Sequence, residues 1–146
     1  MFFGRPEQKI LAWREFRSSL NTWPDDIERV AKVWAHAPLS NNYLTYDNPR
    51  AWPDAWTLIS DGVFCNISIA LGMFYTLYYS NYKYKDSMKI EHYHIPSQHQ
   101  TFNLVSLEDQ KYMLNYHLGQ SVNILTTKHL PSPTYILTAI NLPIKN

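Results

Sequence analysis

Around Asp86 the hydrophobic period of the chain changes, and this constrains its fold more than any other feature. Before that point apolar residues recur three and four apart; after it they alternate with polar ones. A chain written this way makes helices first and a sheet afterwards, so the sequence predicts an α+β fold rather than interleaved βαβ units. Its 146 residues fit a single domain over 1–146. That length buries a core without needing disulfides or metal.

The first half resolves into four helical segments. Residues 7–20 carry Ile10, Trp13, Phe16 and Leu20 near helical spacing behind Pro6. In 24–36, Ile27, Val30, Ala31 and Trp34 form one apolar stripe. Asp25 and Asp26 open that helix, where its dipole favours acids, so the pair reads as helix chemistry rather than as a catalytic dyad. Pro38 stops it. A connection over 37–53 follows, expected to be an ordered surface loop pinned by Tyr43, Tyr46 and Trp52. Asp54 reads as the cap of a short helix with Trp56 and Ile59 on its inner face and Gly62 at its end. The apolar run 63–79, interrupted by Asn66, Ser68 and Thr76, is short for a membrane span and predicts a buried core helix from about Cys65 to Tyr79. Gly72 inside it costs roughly 1 kcal/mol against alanine, a sign that another element packs close.

The second half predicts an antiparallel meander of three to five strands. Met88, Ile90, His92 and His94 alternate along the first, and 101–107, 111–117 and 121–126 follow. Glu108-Asp109-Gln110 and Leu118-Gly119-Gln120 are the expected turns. A further strand over 134–140 follows the break at Pro131-Ser132-Pro133. With a three-residue turn at 108–110, Leu107 faces Lys111 and Asn103 faces Asn115 on one side of the sheet.

Composition removes several functions. Net charge is +1 and no run of Lys or Arg reaches four, so the footprint of a nucleic-acid binder is missing. Lys83, Lys85 and Lys89, interleaved with Tyr82 and Tyr84, read as a solvated turn rather than a stacking surface. The single cysteine rules out an intramolecular disulfide and a cysteine-rich zinc site, and the start of the chain lacks the pattern of a signal peptide. The expectation is a protein that is neither secreted nor membrane-bound and uses no cofactor. His92 and His94 share one strand face at a spacing that metals use, with His99 or His117 as a third ligand, but no convergent set is fixed, and no metal site is assigned. There is no phosphate-binding glycine loop and no G-x-S-x-G elbow.

Cys65 remains. At the start of an apolar helix, backbone N–H groups favour a thiolate. Phe64-Cys65 opening the helix, Phe102-Asn103-Leu104-Val105 on one strand and Lys111-Tyr112-Met113-Leu114-Asn115 on the next resemble, over about 63–117, the layout of papain-like and transglutaminase-like cysteine hydrolases. The resemblance implies a helix-borne nucleophile, a histidine on the first hairpin strand, and Asp or Asn orienting it from the second. Here Asn103 occupies the histidine position, and an amide cannot act as a general base. Residues 52–59 and 70–77 also resemble small proteins of tailed bacteriophages related to the T-even type.

Three readings follow. The first is a non-catalytic structural or interaction protein on a cysteine-hydrolase-like scaffold, with a protein partner in a virion or the host cytoplasm. The second is an active peptidase, amidase or acyl-transferase with Cys65 as nucleophile, His94 or His99 as base, and Asn115 as orienting group. The third is a binding module presenting Tyr43, Tyr46, Trp52 and Trp56, since aromatics make up 15% of the chain.

Overall fold

The computed structural model describes residues 1–41 and 43–144. The helices come first: α1 (Pro6–Ser18), α2 (Asp25–Trp34), α3 (Ala55–Asp61) and α4 (Asn66–Tyr78). Four strands follow as a meander, β1 (Lys89–Ile95), β2 (Gln100–Leu107), β3 (Tyr112–His117) and β4 (Gln120–Val122). A short α5 (Ile124–Thr127) leads to β5 (Tyr135–Leu137). The sheet is antiparallel in the order β4-β3-β2-β1-β5, so the last strand returns to pair outside the first. The architecture is therefore the α+β arrangement that the change of period at Asp86 predicts.

The helix at the centre is buried on every side, from Ile67 through Leu77 apart from a partly covered Ile69. Its close approach is made at Gly72. A β-carbon there would stand 2.1 Å from the indole of Trp34, so α2 packs against α4 at this glycine. One turn on, Thr76 ties three helices together. Its hydroxyl accepts from Nε1 of Trp13 on α1 and Nε1 of Trp34 on α2, each at 3.0 Å, and donates to the Gly72 carbonyl at 2.7 Å. That uses both lone pairs and the proton of one buried hydroxyl.

Local signals act where the sequence places them. Asp54 caps α3 by accepting from the Thr57 N–H at 2.8 Å, and Gly62 ends it at φ +66°. Two expectations are corrected. The strand expected over 121–126 stops at Val122, because the Asn123 side chain accepts from the Leu125 N–H and starts α5. The second is the register of the β2–β3 hairpin. Leu107 faces Tyr112 and Val105 faces Leu114, so the turn holds four residues, not three, and Asn103 does not pair with Asn115 along the ladder. Glu108, Asp109 and Gln110 in that turn all have positive φ. Tyr82 donates to Glu108 and Gln110 donates to the buried Glu91, which holds the turn in place.

The sheet is apolar on both faces. Ile90, Val105, Leu107 and Leu114 belong to the main core, in which the residues of α4 also lie. On the other face Tyr93, Leu104 and Met113 form a second cluster against Phe102, Tyr116, Val122 and Leu130. No helix among the described residues is long and apolar enough to cross a membrane.

Candidate functional site

The N-terminus of α4 faces β1 and β2 across a cleft of about 510 Å³. The segment 44–47 forms one wall, Asn66 and Ile67 the helix side, and His92, His94, Thr101 and Asn103 the sheet side, with Thr134 nearby. The wall is held at several points. Ser40 N–H donates to the Phe64 carbonyl at 2.7 Å and Tyr43 OH to the Val63 carbonyl at 2.8 Å. Trp52 Nε1 donates to the Thr45 carbonyl at 2.8 Å, and Tyr75 OH to the Pro53 carbonyl.

Cys65 does not line this cleft. It is the N-cap of α4, with 0% of its surface exposed. Burial works to raise its pKa, but the backbone N–H groups of Tyr43, Ser68 and Leu44, together with the Ser68 hydroxyl, outweigh this and hold it below the ordinary thiol value. These donors favour the thiolate form of a side chain that is sealed from solvent. Among the described residues no histidine is hydrogen-bonded to it.

The residue that α4 turns toward the sheet is Asn66, one position on. Cys65 is extended backbone at the cap (φ −108°, ψ 177°) and Asn66 is the first helical residue, so a sealed Cys65 is followed by an exposed Asn66. Asn66 Oδ1 accepts from Asn103 Nδ2 at 2.8 Å. Asn115 reaches the same place despite the shifted register. It is left-handed, at φ +73°, and the pairing of β3 with β4 breaks between Leu114 and His117. Its Nδ2 donates to the Asn103 carbonyl at 2.9 Å and lies 3.4 Å from the Asn66 carbonyl. Three amides, on a helix start and two adjacent strands, therefore converge.

His92 completes the group. It sits opposite Asn103 on β1, and its Nδ1 lies 2.7 Å from Asn103 Oδ1. Since Asn103 gives its amide nitrogen to Asn66, the hydrogen between the two comes from Nδ1, and Nε2 carries the free lone pair. Tyr46 stacks on the ring at 4.1 Å between centroids and 7° between planes.

The sites predicted from sequence are distributed as follows. His94 is exposed on the cleft, opposite Thr101. His99 lies in the β1–β2 turn, left-handed at φ +52° and away from the cleft lining. Neither is hydrogen-bonded to Cys65, so the combination of Cys65 with His94 or His99 is not assembled here. Asn115 joins the amide group. Tyr43, Tyr46, Trp52 and Trp56 do not form one platform. Trp52 is buried, and Trp56 packs edge-on against Trp13 and Tyr79, because the core beside α1 needs their area. Tyr46 alone of the four lines the cleft. Among the described residues no group of His, Cys, Asp and Glu could hold a metal ion. Asn66 and His92 were the residues to find; helix phase, with Asn66 on the ridge of Ala70 and Met73, was the available signal for the first.

No family model matches the chain, and no curated protein matches it. Among solved structures, Legionella pneumophila LapG superposes with a TM-score of 0.71 at 18% identity, over 94% of this chain and 78% of LapG. This chain has the fold of LapG. Calcium-bound LapG gives 0.72 over 94% and 78%, and EGTA-treated LapG gives 0.71 over 94% and 76%, both at 18% identity. LapG is transglutaminase-like in fold, which supports the scaffold implied by the helix and hairpin around Cys65. At 18% identity the likeness to LapG concerns the fold alone.

Proposed function

We propose that this protein is a non-hydrolytic binding protein built on a cysteine-hydrolase-like scaffold. One observation carries the reading: where that layout calls for a nucleophile, a base and an orienting group, the helix start and two hairpin strands bring together Asn66, Asn103 and Asn115. A carboxamide is neither a nucleophile nor a proton acceptor near neutral pH, so the set supports recognition by hydrogen bonds and no turnover. The neighbouring thiol is sealed beneath the 43–44 backbone, and among the described residues no imidazole is hydrogen-bonded to it. Its partner is a protein, and the resemblance of 52–59 and 70–77 makes a tailed-bacteriophage virion the place to seek it.

Alkylation tests this directly. At neutral pH the folded protein is expected to react with iodoacetamide at least about tenfold more slowly than free cysteine, and at the free-cysteine rate in denaturant. Labelling faster than free cysteine that disappears in His92→Ala or His94→Ala would overturn the proposal and restore a cysteine hydrolase.

A further inference from the structure

We infer that Arg17 anchors an oxyanion site of the phosphate type at the far end of α4. α4 is thirteen residues long, so this end lies about 20 Å from the cleft at Asn66, and the inference does not depend on the reading of that cleft. Arg17 stands in the last turn of α1, beside Tyr79 at the end of α4. Its guanidinium lies over the Trp13 ring, 4.0 Å from the centroid, and Nη1 donates to the Tyr79 carbonyl at 3.0 Å. These two contacts hold the group in place and use one of its five N–H donors. The other edge, Nε with Nη2, is the fork that pairs with two oxygens of one anion. Nε is buried and has no partner, which forgoes a hydrogen bond that a ligand can supply. Nη2 is open to solvent and has no partner among the described residues, so an anion that meets Nη2 side-on brings a second oxygen to Nε.

The surroundings leave this charge unanswered. Arg17 lines a cavity of about 260 Å³ with Ser18, Leu20, Tyr79, Ser80 and Asn81, and no acid is among them. The ion pairs among the described residues are Arg5 with Glu7 and Arg29 with Asp26, so Arg17 has no carboxylate. Burial and the neighbouring Arg14 outweigh Tyr79 and hold the Arg17 pKa below its ordinary value, although the group stays charged at neutral pH. Carbonyls at a helix end repel an anion, but here they are taken. Arg17 holds that of Tyr79, and Lys85 Nζ donates to those of Tyr78 and Ser80 at 3.2 and 3.1 Å. Asn81 Oδ1 accepts from Trp23 Nε1 at 3.0 Å, which orients the amide, and its Nδ2 has no partner among the described residues. Ser18 is exposed on the same rim. Donors beyond the fork suit an anion with more than two oxygens, and two arginines without an acid between them suit more than one negative charge. The ligand class is therefore phosphate, either as the free anion or as the phosphoryl group of a monoester.

The test is a titration of the whole ¹⁵N-labelled protein at neutral pH and constant ionic strength, followed at the Arg17 Nε–H and at the Asn81 side-chain amide. The probes are inorganic phosphate, phenyl phosphate, acetate and chloride. Phosphate is expected to shift both signals saturably, with a Kd at or below about 10 mM, and to bind at least about fivefold more tightly than acetate. Asn81→Asp keeps the oxygen that accepts from Trp23 but puts a negative charge on the rim, and should weaken phosphate about tenfold, read at Arg17 Nε–H. Arg17→Lys keeps the charge and removes the fork, and a similar loss is expected there, read at Asn81. Tighter binding of phenyl phosphate than of phosphate assigns the site to a monoester; equal or weaker binding assigns it to the free anion; both uphold the site. No saturable shift up to about 50 mM phosphate, the same response to chloride, acetate binding as tightly as phosphate, or undiminished affinity in Asn81→Asp overturns it.

Discussion

Single residues set the tolerances of this core. Gly72 leaves the space that the Trp34 indole fills, so Gly72→Ala forces the ring to move and is expected to destabilise the protein by about 1–3 kcal/mol, measured by urea denaturation. Thr76→Val keeps the shape but strands two buried indole N–H groups; the expected loss is about 2–5 kcal/mol by the same measurement. Asp26 brings in pH. Its buried carboxylate accepts from the N–H groups of Asn21 and Thr22 and pairs with Arg29. Burial works to raise its pKa, but these donors outweigh it and hold the value below the ordinary 3.8. A group depressed in the folded state contributes stability above its unfolded pKa and loses it as pH falls through the folded one. Asp26→Asn should therefore cost about 2 kcal/mol at neutral pH, and the gap from wild type should close once pH drops below the folded value, as read from urea midpoints across that range. At this scale the sequence was readable in part. Gly72 announced a close contact, because a glycine inside an apolar helix has few other uses. Helix phase pointed to Asn66 only if the boundary was placed to one position, because otherwise the cap and the first helical residue are not told apart.

At the scale of elements, helices were more legible than strands. The stripe Ile27, Val30, Ala31 and Trp34 and the caps at Asp54 and Gly62 are local, so they could be read without knowing their neighbours. Register is not local. One added residue in the 108–111 turn shifted the whole β2–β3 pairing, and the left-handed Asn115 then brought the amides together by a route that alternation does not foresee. That turn holds three consecutive non-glycine residues at positive φ. Each such residue costs about 1 kcal/mol, and Asp109 is the exposed one of the three. Asp109→Gly is expected to stabilise the fold by about 0.5–1 kcal/mol, seen as a raised thermal midpoint. A lowered midpoint would show that the Asp109 side chain supports the turn.

For the molecule as a whole, the two halves of the chain meet at α4, with helices on one side and the sheet on the other. Ser40 is bonded to Phe64, and residues 43–46 run on to the sheet, where Tyr46 is stacked on His92. If this segment opens only when the molecule unfolds, alkylation of Cys65 should accelerate with urea in parallel with global unfolding. Labelling that stays fast and independent of urea at low concentrations would show that the segment opens by itself. Fold class was legible at this scale because the period change at Asp86 concerns the entire chain. The cleft was not, because it is assembled from a loop, a helix end and two strands that no local pattern links.

The shared hydroxyl of Thr76 carries a consequence for how such a chain drifts over generations. Positions 13, 34, 72 and 76 answer to one oxygen and one gap, so a change at any of them alters what the others must be. An indole can be given up cheaply only where its partner hydroxyl is already dispensable, and a bulkier residue at 72 becomes acceptable only after the ring at 34 has shrunk. The four should be inherited as a set or replaced together, while Asn66, exposed at the cleft, is free to follow the ligand.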